Sequence, residues 1–219
     1  MAAFIQSGTN PAHSTADFEF LNQKDKDNLE KLAKEHRDIE STAEDRMLFD
    51  SGNDGILNTR FEIIKHTINT AWLPRTLRSV NDQMCADFNT WHVGLSLVSE
   101  KFKSCIESIE VDNHHFYPVD IVSSKGNILG KAYFWRTLNI FNAIIPNMNG
   151  TKRVVMAPVE SLHETDLKGI QLHRDIVSEK AAWYDIRLGE PLLASDKFIA
   201  LAKKHNLTNI LFNHTFEEC

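Results

Sequence analysis

The chain has 219 residues, 42% apolar and 25% charged, with 24 Lys and Arg against 30 Asp and Glu for a net charge of −6. That length buries a full core, and the composition is that of a folded globular chain. The acidic balance disfavours a nucleic-acid binder, which carries a basic surplus, and suits a protein that meets a basic partner.

The first stretch, "MAAFIQSGTNPAHSTADFEF", has neither a basic start nor an apolar core, so no signal peptide is expected. Residues 1–24 read as a polar, poorly patterned arm. Leu29, Leu32, Ala33, His36, Ile39, Ala43 and Met47 then recur at helical spacing, predicting an amphipathic helix from 26 to 47. "DSGNDG" (50–55) is a turn cluster, and "TRFEIIKHTINTAWL" (59–73) fits helix or strand until Pro74 closes it. Trp91, Val93, Leu95 and Leu97 alternate, which predicts a strand over 87–97.

The remainder of the chain contains one phrase twice. "VSEKFKSCIES" (98–108) and "ASDKFIALAKKH" (194–205) each place Ser, an acid, Lys and Phe ahead of an apolar helical stripe. Ser99 and Ser195 are expected helix N-caps, with the acid beside the positive end of the helix dipole. Phe102, Cys105, Ile106 and Ile109 form one stripe; Phe198, Leu201, Ala202 and His205 form the other. Each helix runs into a polar turn and then a strand, "HFYPVDIV" (115–122) and "NILFNH" (209–214). Two copies fall short of a solenoid, which needs three. A duplicated α/β element and a coincidence of common capping chemistry both fit.

Between these phrases "ILGKAYFWRTLNIFNAIIP" predicts an aromatic strand. "KRVVMAP" (152–158), "GIQLHRDIV" (169–177) and "AWYDIRL" (182–188) predict three short ones. The whole pattern is α+β: a single domain with a mixed, mostly antiparallel sheet and a few packed helices, plus a helical N-terminal extension. The extension is placed at 1–89 and the α+β body at 90–219, together one compact unit.

Chemical motifs are sparse. "DSGNDGILNTRF" (50–61) has Asp50, Asp54 and Gly55 where a calcium loop needs them, but Gly52 and Phe61 replace two of its ligands. His114-His115 cannot put both rings on one side of a strand, and His163-Glu164 lacks the second His of a helical zinc site. The glycines form no phosphate loop and no serine sits in a nucleophile elbow. No metal, cofactor or catalytic group is therefore expected, which favours a binding protein over an enzyme. The alternative is a small cytosolic enzyme whose acid and base converge through folding, for instance Glu160 or Asp185 with His173. Cys85, Cys105 and Cys219 are odd in number and lack ligand spacing, so reduced thiols and a cytoplasmic location are expected. The apolar runs are too short to span a membrane.

"LVSEKFKSCIESIEVDNHHFYPVDI", "KAYFWRTLNIFNAI", "IQLHRD" and "WYDIRLGEPLLASDKFIALAKKHNLTNILF" together resemble the immunity protein 11 family over about residues 90–214. These are bacterial proteins that neutralise toxins of polymorphic or contact-dependent secretion systems. Pro118, Tyr133, Ala143, Ile186-Arg187, Ser195-Asp196 and Phe212 carry the resemblance; Asn142 and Asn209 stand where the family has Asp and Gly. The resemblance implies an immunity protein whose partner is a cognate toxin. It carries no catalytic residue over and leaves a homo-oligomer open. The acidic loop "APVESLHETDLKG" (157–169), with Glu160, Glu164 and Asp166, is either a solvated polar loop or part of the contact surface for a basic toxin. Trp183 and Tyr184 are its expected aromatic anchors and Asp185 a further acid.

Overall fold

The computed structural model describes residues 1–8, 18–35, 68–91, 95–145, 170–185 and 192–219. The strands up to the first long hairpin are β1 (Ala2–Ser7), β2 (Phe18–Phe20), β3 (Thr76–Ser79), β4 (Phe88–Thr90), β5 (Ser96–Ser99), β6 (His114–Val122) and β7 (Ile128–Thr137). After them come β8 (Ile140–Phe141), β9 (Ile144–Ile145), β10 (Gln171–Leu172), β11 (Ala182–Asp185), β12 (Leu192–Ser195) and β13 (Ile210–Glu218). The helices are α1 (23–35), α2 (Glu100–Glu107), α3 (Arg174–Val177) and α4 (Asp196–Lys204). The class is α+β, with two mixed sheets rather than one. Seven strands run in the order β8-β11-β12-β1-β13-β10-β9, and six in the order β2-β3-β6-β7-β5-β4.

The helical N-terminal extension is corrected. Ala2–Ser7 is a strand in the middle of the seven-stranded sheet, antiparallel to β12 on one side and β13 on the other. Ala2, Ala3, Phe4 and Ile5 are all buried, because both faces of this strand are covered. A strand covered on both faces shows a continuous apolar run instead of alternation, and four residues of it pass for part of an irregular arm. The helix expected at 26–47 begins at residue 23; beyond 35 it lies outside the described residues, as do 50–67 and 152–158.

Farther along, the strand expected over 87–97 is two, β4 and β5, paired antiparallel. The expected strand 169–177 shortens to Gln171–Leu172, and Arg174–Val177 turns into helix behind His173. Residues 192–195 form a strand that no alternation announces. The long aromatic strand is β7, joined to β6 in a hairpin nine residue pairs long.

Both serines cap as expected. Ser99 and Ser195 have extended backbones (φ −79, ψ 166 and φ −74, ψ 160) and accept from the N–H groups of Phe102 and Phe198. Glu100 and Asp196 supply the acid in each first turn. The two capped helices pack against each other in a core shared by both sheets, which includes Ile5, Phe88, Val98, Phe102, Trp135, Ala194 and Phe198. A second core lies on the other side of the seven-stranded sheet around Phe4, Trp183 and Leu193. A third joins α1, through Leu29 and Leu32, to the outer face of the six-stranded sheet.

Ser99→Ala and Ser195→Ala should each lower stability by about 1 kcal/mol through loss of a cap. Ser99→Ala should lose more, because its hydroxyl also donates to Asp87 Oδ1 at 2.5 Å. Urea midpoints measure both; unmoved midpoints would mean the serines do not hold the helix ends.

Candidate interaction surface

The polar chemistry of the described residues concentrates where the two sheets meet. The turn after α2 ends at Glu110, which is 8% exposed. Its carboxylate accepts from Asn139 Nδ2 at 2.8 Å, Lys180 Nζ at 3.0 Å and the Ala181 N–H at 3.1 Å, and lies 3.1 Å from His114 Nε2. Burial alone would raise its pKa; the four partners overcome that and hold it down at about 2. Asp87 mirrors it from the other side. Its carboxylate accepts from the Thr208 N–H at 2.7 Å and from the Thr208 hydroxyl at 3.0 Å, and pairs with Lys101 Nζ at 3.0 Å. Burial again pushes upward, and the Ser99, Thr208 and Lys101 donors keep it below the usual carboxylate range. Each carboxylate ties the turn after a helix to the strand pair of the other sheet. These are structural ties.

A surface opens beside them. Thr137 Oγ1 and Asn139 Nδ2 donate to Ala182 O at 3.2 and 3.0 Å, and the Tyr184 N–H donates to Asn139 O at 2.9 Å. This seats β11 against the end of β7, where Arg136 stands. Arg136 is 7% exposed, and its cross-strand partner on β6 is His115. Burial pushes the guanidinium's pKa down, and the Tyr184 and Tyr117 hydroxyls oppose that. Burial raises the Tyr117 hydroxyl against the pull of Arg136. His115 is exposed and its Nδ1 lies 3.1 Å from the Tyr117 hydroxyl. Over the buried guanidinium, the exposed His115 and half-buried Tyr117 offer an imidazole and a phenol, groups suited to aromatic and polar contacts.

Side chains alternate along a strand, so Phe116 and Tyr133 occupy the opposite face, beside α2. Lys103 Nζ lies 5.7 and 5.4 Å from their ring centroids, and the Tyr133 hydroxyl donates to Glu100. Both rings are half-buried.

Of the contact residues expected from sequence, Glu160, Glu164 and Asp166 lie outside the described residues. Trp183 and Asp185 are fully buried, so neither side chain meets solvent. Trp183 belongs to the core around Phe4. Asp185 Oδ2 accepts from the Ala143 and Ile144 N–H groups at 2.8 and 3.1 Å, fastening the chain between β8 and β9 to β11. Tyr184 is half-buried beside Arg136. The His173 N–H donates to Ala143 O at 2.7 Å, so His173 through its backbone N–H and Asp185 through its carboxylate converge on Ala143. The sequence reading missed Arg136, Tyr117 and His115. The signal available was a lone arginine inside the aromatic run "AYFWRT".

The Immunity protein family (Imm11) model matches residues 27–216, beginning well before residue 90, where the sequence resemblance was placed. No curated protein matches the chain in sequence. The structure explains one departure from the family pattern. Asn209 has φ 57, the left-handed conformation that glycine adopts freely and asparagine tolerates best among the rest. Its Nδ2 also donates to Ser7 Oγ, Phe88 O and Asn89 Oδ1 at 3.1, 2.9 and 3.1 Å, bonds a glycine could not make. With most of its length matched by that family model, the chain belongs to the immunity protein family Imm11.

Proposed function

We propose that this protein neutralises a cognate bacterial toxin by binding it, without chemistry of its own, and that the toxin acts in the cytoplasm. The observation that carries this reading is the family match over residues 27–216. Three free thiols, Cys85, Cys105 and Cys219, support a reducing compartment. No helix among the described residues is long and apolar enough to cross a membrane. A net charge of −6 favours a toxin with a basic surface and speeds encounter more than it deepens affinity. In this reading Glu160, Glu164 and Asp166 steer the toxin, and Tyr184, Tyr117 and His115 around Arg136 anchor it.

The test uses the toxin encoded beside this gene. The protein should protect cells that express that toxin and should bind it in purified form. Reversing Glu160, Glu164 and Asp166 to Lys should slow association and flatten its salt dependence while leaving the fold intact. Tyr184→Ala should raise the dissociation rate by about tenfold, as loss of one aromatic anchor does. Absence of both binding and protection would sink the reading. A triple variant that associates at the wild-type rate in low salt would move the contact surface elsewhere.

A further inference from the structure

Six of the seven strands in the larger sheet correspond in order to the six of the smaller one; edge strand β8 has no counterpart. β4-β5-β7-β6-β3-β2 in one matches β11-β12-β1-β13-β10-β9 in the other. In both, the successive pairings are antiparallel three times, then parallel, then antiparallel. From the caps onward the spacing is constant at 96 residues: Ser99 to Ser195, His114 to Ile210 and Val122 to Glu218. Asn113 and Asn209, at the same spacing, are both left-handed, with φ 67 and 57.

The hydrogen bonds repeat as well. The Ser99 N–H donates to Asp87 O at 3.2 Å, and the Ser195 N–H to Ala181 O at 3.1 Å. The Leu138 N–H donates to Asn113 O at 2.7 Å, and the Gly8 N–H to Asn209 O at 2.9 Å. Leu138 follows β7 and Gly8 follows β1, so β1 holds in the second sheet the place that β7 holds in the first.

We infer that the fold is an internal duplication in which the last strand of the second repeat is supplied from the other end of the chain, β1 closing a slot between β12 and β13. In the first repeat β6 reaches β7 through the short turn Ser123–Asn127, where the Ser123 N–H donates to Asn127 O at 2.8 Å. In the second repeat β13 runs to Glu218 and β1 enters separately, antiparallel to it. The slot requires a strand whose residues at the positions of Phe4 and Ile5 enter two different cores, one on each face. It places no requirement on which end of the chain delivers that strand.

The experiment is a rescue within the full-length chain. Phe4→Asp puts a carboxylate into a fully buried position and should lower the urea midpoint sharply. Appending a turn copied from residues 123–127 and a second, intact copy of residues 1–8 after Cys219 should restore the midpoint most of the way to wild type. The same appendage carrying Phe4→Asp in both copies should restore nothing. If the intact appended copy leaves the midpoint where Phe4→Asp alone puts it, the slot does not accept its strand from the C-terminal end and the inference fails. If the doubly substituted appendage rescues as well, the effect is not strand replacement and the inference fails equally.

Discussion

Phe102→Ala and Phe198→Ala should each destabilise the protein by about 3–5 kcal/mol. Both rings are completely buried, and they meet edge to face with centroids 5.3 Å apart where α2 packs on α4. Phe102 also packs on Trp135 at 4.9 Å and on Phe88 at 5.5 Å; Phe198 packs on Phe212 at 6.2 Å. Truncating either ring opens a cavity against aromatic groups held on strands, Phe88 and Trp135 for Phe102 and Phe212 for Phe198, which cannot collapse into it. The rings touch, so the two losses should couple, with the double variant costing less than their sum. Against a typical stability of about 5–15 kcal/mol, the double variant should be partly unfolded without denaturant. Urea or thermal melts decide it, and near-native stability of either single variant would place its ring outside the core.

Glu110→Ala should cost about as much, roughly 3–5 kcal/mol, because it strands Lys180 and removes a buried partner from His114, Asn139 and the Ala181 N–H. Its pH signature is specific. The folded pKa of about 2 lies below the ordinary 4.5, so the stabilisation is complete above about pH 4.5 and disappears as pH falls towards 2. Wild type should lose roughly 3 kcal/mol across that window on account of this group, and Glu110→Ala should lose that much less. Asp87 titrates in the same direction in both proteins and drops out of the difference. Parallel stability curves for the two proteins over that range would show that Glu110 is not the buried anion described here.

What the sequence disclosed was local, and what it concealed was made by distant pairing. The caps at Ser99 and Ser195 are legible because capping is settled within four residues, and β6 and β7 are legible because they are long and rich in aromatic and β-branched residues. β1 was hidden because it is covered on both faces and its partners lie near residues 195 and 216. Trp183 and Asp185 resembled surface groups for the same reason. Asp185 is satisfied inside by the Ala143 and Ile144 N–H groups, which come from about forty residues away, and Trp183 is covered by the core around Phe4. Within the candidate surface, Tyr184 is legible in the sequence as an aromatic side chain on a short strand, whereas Arg136 gains its setting only when β11 docks on the end of β7. The repeated Ser-acid-Lys-Phe phrase is the remnant, at sequence level, of a correspondence that the sheets preserve far better than the side chains do.

The central position of β1 sets a timetable for synthesis. Ala2–Ser7 leaves the ribosome almost two hundred residues before its neighbours β12 and β13 are made. At about 5–20 residues per second, its apolar run waits on the order of ten seconds or more with neither flanking strand available. The six-stranded sheet has β3 to β7 within residues 76–137 and needs no such delay. A nascent chain should therefore carry one formed sheet and one open one until β12 and β13 have been made. During that interval residues 2–5 are open to capture by chaperones or by a neighbouring nascent chain.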